Sequence, residues 1–151
     1  MAIVQAMCSS FKVDLLCARH NFLLSGGHSF KIALYTSASN LSAATTAYGG
    51  GSATNEVAAG GGYTAGGVAL TRVDPVAAVS PITTAITDFS NDPTWSGSTI
   101  TARGALVYND TAAGKNACVT LDFGADKISS AGDFIVQFPP PDGTQAVIRI
   151  A

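Results

Sequence analysis

An all-β domain with one short helical stretch at its start is what this sequence predicts, on three observations. After Gly27, apolar residues recur at every second position in most of the ordered-looking runs. Short clusters of Gly, Pro, Ser and Asn separate those runs. A helical period appears once, near the N-terminus. Together they describe a jelly-roll-like antiparallel β-sandwich of about seven to eight strands over residues 26–151, preceded by an N-terminal arm or helix over 1–25. The 151 residues are one ordinary domain. Its size is enough to hide roughly 70% of the unfolded surface.

The N-terminal helix rests on Phe11, Leu15, Ala18 and Phe22, which share one helical face. Ser9 or Ser10 is its expected cap, and it should end near His20–Asn21, before Ser25-Gly26-Gly27. The period then changes to two. In FKIALYT, Phe30, Ile32 and Leu34 face one way. In STITARGALVYND, Ile100, Ala102, Leu106 and Tyr108 alternate with Thr101, Arg103 and Val107. ACVTLDF, DFIVQF and QAVIRIA repeat the pattern, and Val68–Val73 and Thr83–Phe89 are weaker strands. Ser96-Gly97 predicts a tight hairpin between Trp95 and Ile100. Asn109–Asn116, Ser129–Gly132 and Pro141-Asp142-Gly143 are turns. Residues 37–67 have little periodicity and much glycine. They form a loop too long for a simple connection, so they are expected to carry a contact.

Charged residues are 12% of the chain, about half the usual ~25%. Ala, Ser, Thr and Gly take their place, which suits surfaces packed against other protein. With a net charge of −2 and no basic run, nucleic acid is not an expected partner. No apolar run reaches the ~20 residues of a membrane helix, so no membrane partner is expected. The start, MAIVQAMCSS, lacks the basic and apolar regions of a secretory signal. Cys8, Cys17 and Cys118 are odd in number and widely spaced, as expected of free thiols in a reducing compartment.

TNEVAAGGGYTAGGVAL, residues 54–70, poses the sharpest chemical question. Gly61 and Gly66 have the glycine spacing of a phosphate loop, but Gly67-Val68 stands where Lys-Ser/Thr is required. A dinucleotide fingerprint fails too, because strands and not a helix follow. The segment therefore reads as backbone with several φ > 0 positions that enters a strand near Val68, with Tyr63 as its one bulky anchor.

Cys8, Cys17, His20 and His28 form C-x8-C-x2-H-x7-H, which matches no common zinc framework. Asp88, Asn91 and Asp92, or Asp122 and Asp126, lack the alternating pattern of a calcium loop. No nucleophile elbow and no carboxylate pair are evident. Hence no cofactor, no metal and no enzymatic activity are expected. Tyr35, Tyr48, Tyr63, Trp95 and Tyr108 are candidates for a sugar-stacking platform or for packing, and Trp95 is expected to be buried. Arg103 and Arg149 are expected either to pair with Asp122 or Asp133 or to project toward a partner.

MAIVQAMCSSFKVDLL, FKIALYTSASNL, TNEV…GGYTAGGVAL, DPTWSGSTITARGALVYND, LDFGADKISSAGDFIVQFP and AVIRIA occur in that order over nearly the whole chain. In this the sequence resembles a family of small virion structural proteins of tailed bacteriophages. The resemblance implies a non-enzymatic capsid decoration, or cement, protein, made in the bacterial host cytoplasm. It would bridge subunits of the major capsid protein and form a homo-trimer or homo-dimer. A tail, neck or appendage protein of the same particle is the alternative, and a carbohydrate-binding adhesion module a second one. Low periodicity and glycine content put the contacts in the arm Met1–Phe11 and the loop Ser37–Gly67. The interface residues expected there are Met1, Ile3, Val4, Met7, Phe11, Leu41, Tyr48 and Tyr63.

Overall fold

A computed structural model describes residues 2–77, 83–142 and 144–151. Within them the chain is mostly β, with antiparallel pairing throughout and one short helix. In chain order the elements are β1 (Ala6–Met7), α1 (Ser9–Leu16), β2 (Phe30–Tyr35), β3 (Val68–Leu70), β4 (Val76–Ala77), β5 (Ala85–Thr87), β6 (Thr94–Ser98), β7 (Thr101–Asn109), β8 (Ala117–Ile128), β9 (Gly132–Ile135) and β10 (Ile148–Ile150). The main sheet has the order β1-β8-β7-β2-β3. A second sheet runs β10-β5-β4, and β6 pairs with β9 as a ribbon.

The alternation read from the sequence places side chains on both faces of the main sheet. Register pairs Ile32 with Val107 and Leu34 with Ala105, so these residues project to one side. Ala33 pairs with Leu106 and Lys31 with Tyr108, which project to the other. Both sides are covered, so Ile32, Ala33, Leu34, Leu106 and Val107 are all fully buried. On the first side Phe30 stacks on Phe22 at 4.3 Å between centroids and meets Phe89 at 6.1 Å. On the second, Tyr108 stacks on Tyr48 at 4.6 Å, which brings the segment after β2 over the sheet. Each fully buried aliphatic or Phe side chain contributes about 1.5–3 kcal/mol.

Three local predictions are corrected. The helix ends at Leu16, not near His20–Asn21. Ala18 takes φ +54, a left-handed conformation that stops a helix. Phe22 still reaches the core, but from the following loop and not from a helical face. The N-cap is Cys8, and neither Ser9 nor Ser10 caps. Ser96-Gly97 is not a hairpin turn either. It lies inside β6, and Gly97 at φ +59 makes an irregularity in pairing with β9. The turns at Asn109–Asn116 and Ser129–Gly132 connect β7 to β8 and β8 to β9. In the third turn Asp142 accepts backbone N–H groups from Thr144 and Gln145, while Gly143 lies outside the described residues.

Candidate functional site

The glycine-rich segment is a fastened cover. Its fastening point is Glu56, the chain's single glutamate. Glu56 Oε1 accepts the Tyr63 hydroxyl at 2.7 Å and the Gly66 N–H at 2.7 Å, and Oε2 accepts the Tyr48 hydroxyl at 2.8 Å. The Tyr63 oxygen also accepts the Leu34 N–H at 2.9 Å, which ties the cover to β2. The Tyr108 hydroxyl donates to the Gly66 carbonyl at 2.9 Å. Burial, followed by the bond to Glu56, pushes the Tyr48 hydroxyl up to about 12 and Tyr63 higher still. Gly67, at φ +70, lies so close to β2 that an added Cβ would collide with the Ile32 carbonyl. The glycines thus serve close approach of backbone to backbone.

The expected contact residues separate into two groups. Ile3, Phe11, Leu41 and Tyr63 are buried in this chain's own core and offer no surface to a neighbour. The physical reason is that the arm is held down. The Val4 N–H donates to the Leu41 carbonyl, the Thr120 hydroxyl donates to the Val4 carbonyl, and Ala6–Met7 pair with β8. Met7 and Tyr48 are half-buried and Val4 is exposed; Met1 lies outside the described residues.

The aromatic residues are placed as packing. Tyr35, Tyr63, Trp95 and Tyr108 are buried, with Trp95 against Tyr63 and Phe134. Arg103 forms the predicted pair with Asp122, Nε to Oδ1 at 2.8 Å, whereas Arg149 stands exposed on β10. Asn91, Asp92 and Asp88 accept backbone N–H groups from Thr71, Phe138 and Val147. Among the described residues no three His, Cys, Asp or Glu side chains converge as a metal site. Cys8 and Cys118 are buried and Cys17 is exposed, all free. Burial pushes the Cys8 thiol up to about 11 and Cys118 well above the usual thiol range. His20 and His28 converge instead on Asn109.

Sequence reasoning missed a groove beside one edge of the main sheet. β1 pairs only with Val119 and Thr120, while β8 runs on to Ile128. Beyond Thr120, among the described residues, no strand pairs with that edge of β8. A groove of about 550 Å³ lies beside it, between β8 and β9. Phe123, Phe134, Phe138 and Val147 line it, and Ile128 and Ile135 stand on it 72% and 54% exposed. Lys127 and Asp133 supply charges of both signs. The volume falls within the range of ligand-sized clefts, and the strand edge offers unpaired backbone groups. Opposite Arg103, residues Phe123 to Asp126 bulge out, with Gly124 at φ +76. Such bulges re-aim side chains at sheet edges. The only sequence signal was the uninterrupted length of LDFGADKI, a run that outlasts its partners.

No helix among the described residues is long and apolar enough to cross a membrane. Comparison with protein-family models, curated proteins and solved structures found no match.

Proposed function

We propose that this chain is a structural protein of a tailed-phage particle, a decoration protein that attaches to the outer shell and bridges its subunits. The jelly-roll-type sandwich belongs to this reading, with the three-stranded sheet and the β6–β9 ribbon forming the second layer. So does self-association as a trimer or dimer. The observation that carries it is the groove beside the unpaired edge of β8, joined to the sequence resemblance. An extended segment of a shell subunit fits there, its backbone pairing with β8 and its apolar side chains meeting Phe123, Ile128 and Ile135. Apolar clusters at the centre of such contacts carry most of the binding energy. Repetition over a shell turns modest contacts into holding strength.

The test is reconstitution onto heads lacking the protein. Ile128→Asp with Ile135→Asp should lower bound protein by at least about tenfold, because two exposed anchors of 1–2 kcal/mol each are lost. Undiminished binding overturns the groove as the contact. Copy number separates the alternative: hundreds per virion for a shell protein, about a dozen or a small ring multiple for a tail, neck or appendage protein.

A further inference from the structure

Asn109, the last residue of β7, is fully buried, and both polar atoms of its side chain are engaged. Its Oδ1 accepts the backbone N–H groups of Thr111 and Ala112, each at 3.1 Å. A backbone N–H only donates, so the amide's orientation is fixed: oxygen toward the β7–β8 turn, nitrogen away from it. The Nδ2 group then faces Nδ1 of His20 at 3.0 Å and Nδ1 of His28 at 2.9 Å. Each of its two hydrogens has one imidazole nitrogen to reach, so both Nδ1 atoms must be acceptors. The proton of neutral His20 consequently sits on Nε2, facing Asp14 Oδ2 at 3.5 Å. A charged imidazole carries hydrogen on both nitrogens, and it would present N–H against the Asn109 N–H.

We propose that Asn109 and this histidine pair form an acid-released latch, which holds the segment between α1 and β2 against the β7–β8 hairpin while both imidazoles are neutral. The two histidines bracket that segment. It is also joined to the hairpin by the Ser29 N–H to the Thr111 hydroxyl, 2.8 Å, and by the Asp110 N–H to the Ser29 carbonyl, 2.8 Å. Protonation of either ring breaks the shared amide contact and leaves the segment to the Ser29 bonds and to Phe22 stacked on Phe30.

The surroundings bear on the sign. Around His20 the rings of Phe11, Phe22 and Phe30 are apolar, with centroids at 4.8, 6.3 and 6.3 Å. From α1, Asp14 favours the charged imidazole, but it already accepts from Arg19 at 3.1 Å and from Asn116 at 2.6 Å. From the hairpin and β2, Asp110 is neutralised by Lys115 at 2.7 Å and Lys31 at 3.3 Å. From β8, the Cys118 thiol is buried and neutral. Each histidine, once charged, opposes the other. Burial outweighs Asp14 and lowers the His20 pKa below its ordinary value. The unfolded chain therefore takes up the proton first. The contribution is complete above about pH 6.5 and is lost as pH falls from there through the lowered value.

The experiment uses the whole chain and nitrogen-detected NMR of the imidazoles between about pH 8 and pH 5, where histidine changes charge. Near pH 8 both rings should show an unprotonated Nδ1 and a protonated Nε2. Toward pH 5 the protection of the Thr111 and Ala112 amides, taken relative to the intrinsic exchange rate at each pH, should fall about tenfold, while that of Leu106 and Val107 holds. His20→Gln with His28→Gln should flatten that pH dependence. A protonated Nδ1 on either ring near pH 8 overturns the proposal, even if the double variant does not fold. So does protection of Thr111 and Ala112 that stays constant with pH in the native chain, or acid release that survives the double substitution.

Discussion

The Tyr63 hydroxyl donates to Glu56 at 2.7 Å while its oxygen accepts the Leu34 N–H at 2.9 Å. One side chain thereby joins the cover segment, its fastening carboxylate and a central strand. Three donors converge on Glu56, so its loss strands polar groups and does not merely remove one bond. Glu56→Gln keeps the shape but turns an N–H₂ toward at least one of those donors. It should cost about 2 kcal/mol, within the range for leaving a buried donor unpaired. For a chain of this size that lowers Tm by roughly 4–8 °C. Tyr48→Phe removes one half-buried bond and should cost about 1 kcal/mol. Thermal unfolding followed by near-UV circular dichroism compares the two; equal, negligible shifts would remove Glu56 as the fastening point.

All four tyrosines titrate above their ordinary value, with burial the first cause in each. Tyr48 is the lowest, at about 12. A tyrosine raised in the fold holds its proton longer there than in the unfolded chain. Its contribution is therefore complete below about pH 10 and is lost as pH rises through the folded value. Ultraviolet titration should show no tyrosinate in the native chain near pH 10.5. Above pH 11, ionisation should coincide with loss of the β-sheet signal. A tyrosine that ionises near pH 10 with the fold intact would contradict this.

The glycines divide by what lies beside them. Gly67 has positive φ and the Ile32 carbonyl in the space a Cβ needs. Gly50 has φ +64 and open space. Gly50→Ala should cost only the left-handed conformation, about 1–2 kcal/mol. Gly67→Ala must also push β2 from the cover and should cost more than about 4 kcal/mol, as steric failures in a core do. Urea midpoints of the two variants measure the difference, and near-equal midpoints would mean that the approach to Ile32 relaxes at little cost.

The strands were legible where a period of two continued long enough to be counted. Phe30–Tyr35, Thr101–Asn109 and the start of Ala117–Ile128 were all evident from alternation. What alternation could not say is that Val107 is as buried as Leu106, because that depends on a second covering layer. Residues 37–67 read as a long loop carrying a contact, because they have little periodicity. Their order comes from side chain-to-backbone bonds, such as Asn40 to Thr54 and Ser52 to Thr46, which leave no periodic signature. Leu41 and Tyr63, expected at an interface, are buried in this chain's own core. The Asn109–histidine contact was out of reach as well, since it joins residues 81 and 89 positions apart. The groove at β8 arises from the unequal lengths of paired strands, a tertiary property.

The three cysteines give a count that reports opening of the fold. Cys17 is exposed just after α1, whereas Cys8 and Cys118 are buried. The Cys8 N–H donates to the Cys118 carbonyl at 3.0 Å, so the two residues sit side by side where the arm meets β8. Burial also holds both thiols in their unreactive, protonated form. A thiol reagent at neutral pH should therefore label one cysteine quickly in the native chain and all three in denaturant. The slow pair should react together, because detaching Ala6–Met7 from β8 uncovers both. Their rate should follow the local stability of that edge and fall short of the global value if the arm opens alone. Fast labelling of Cys8 with Cys118 still protected would show that the arm detaches without disturbing the strand beneath it.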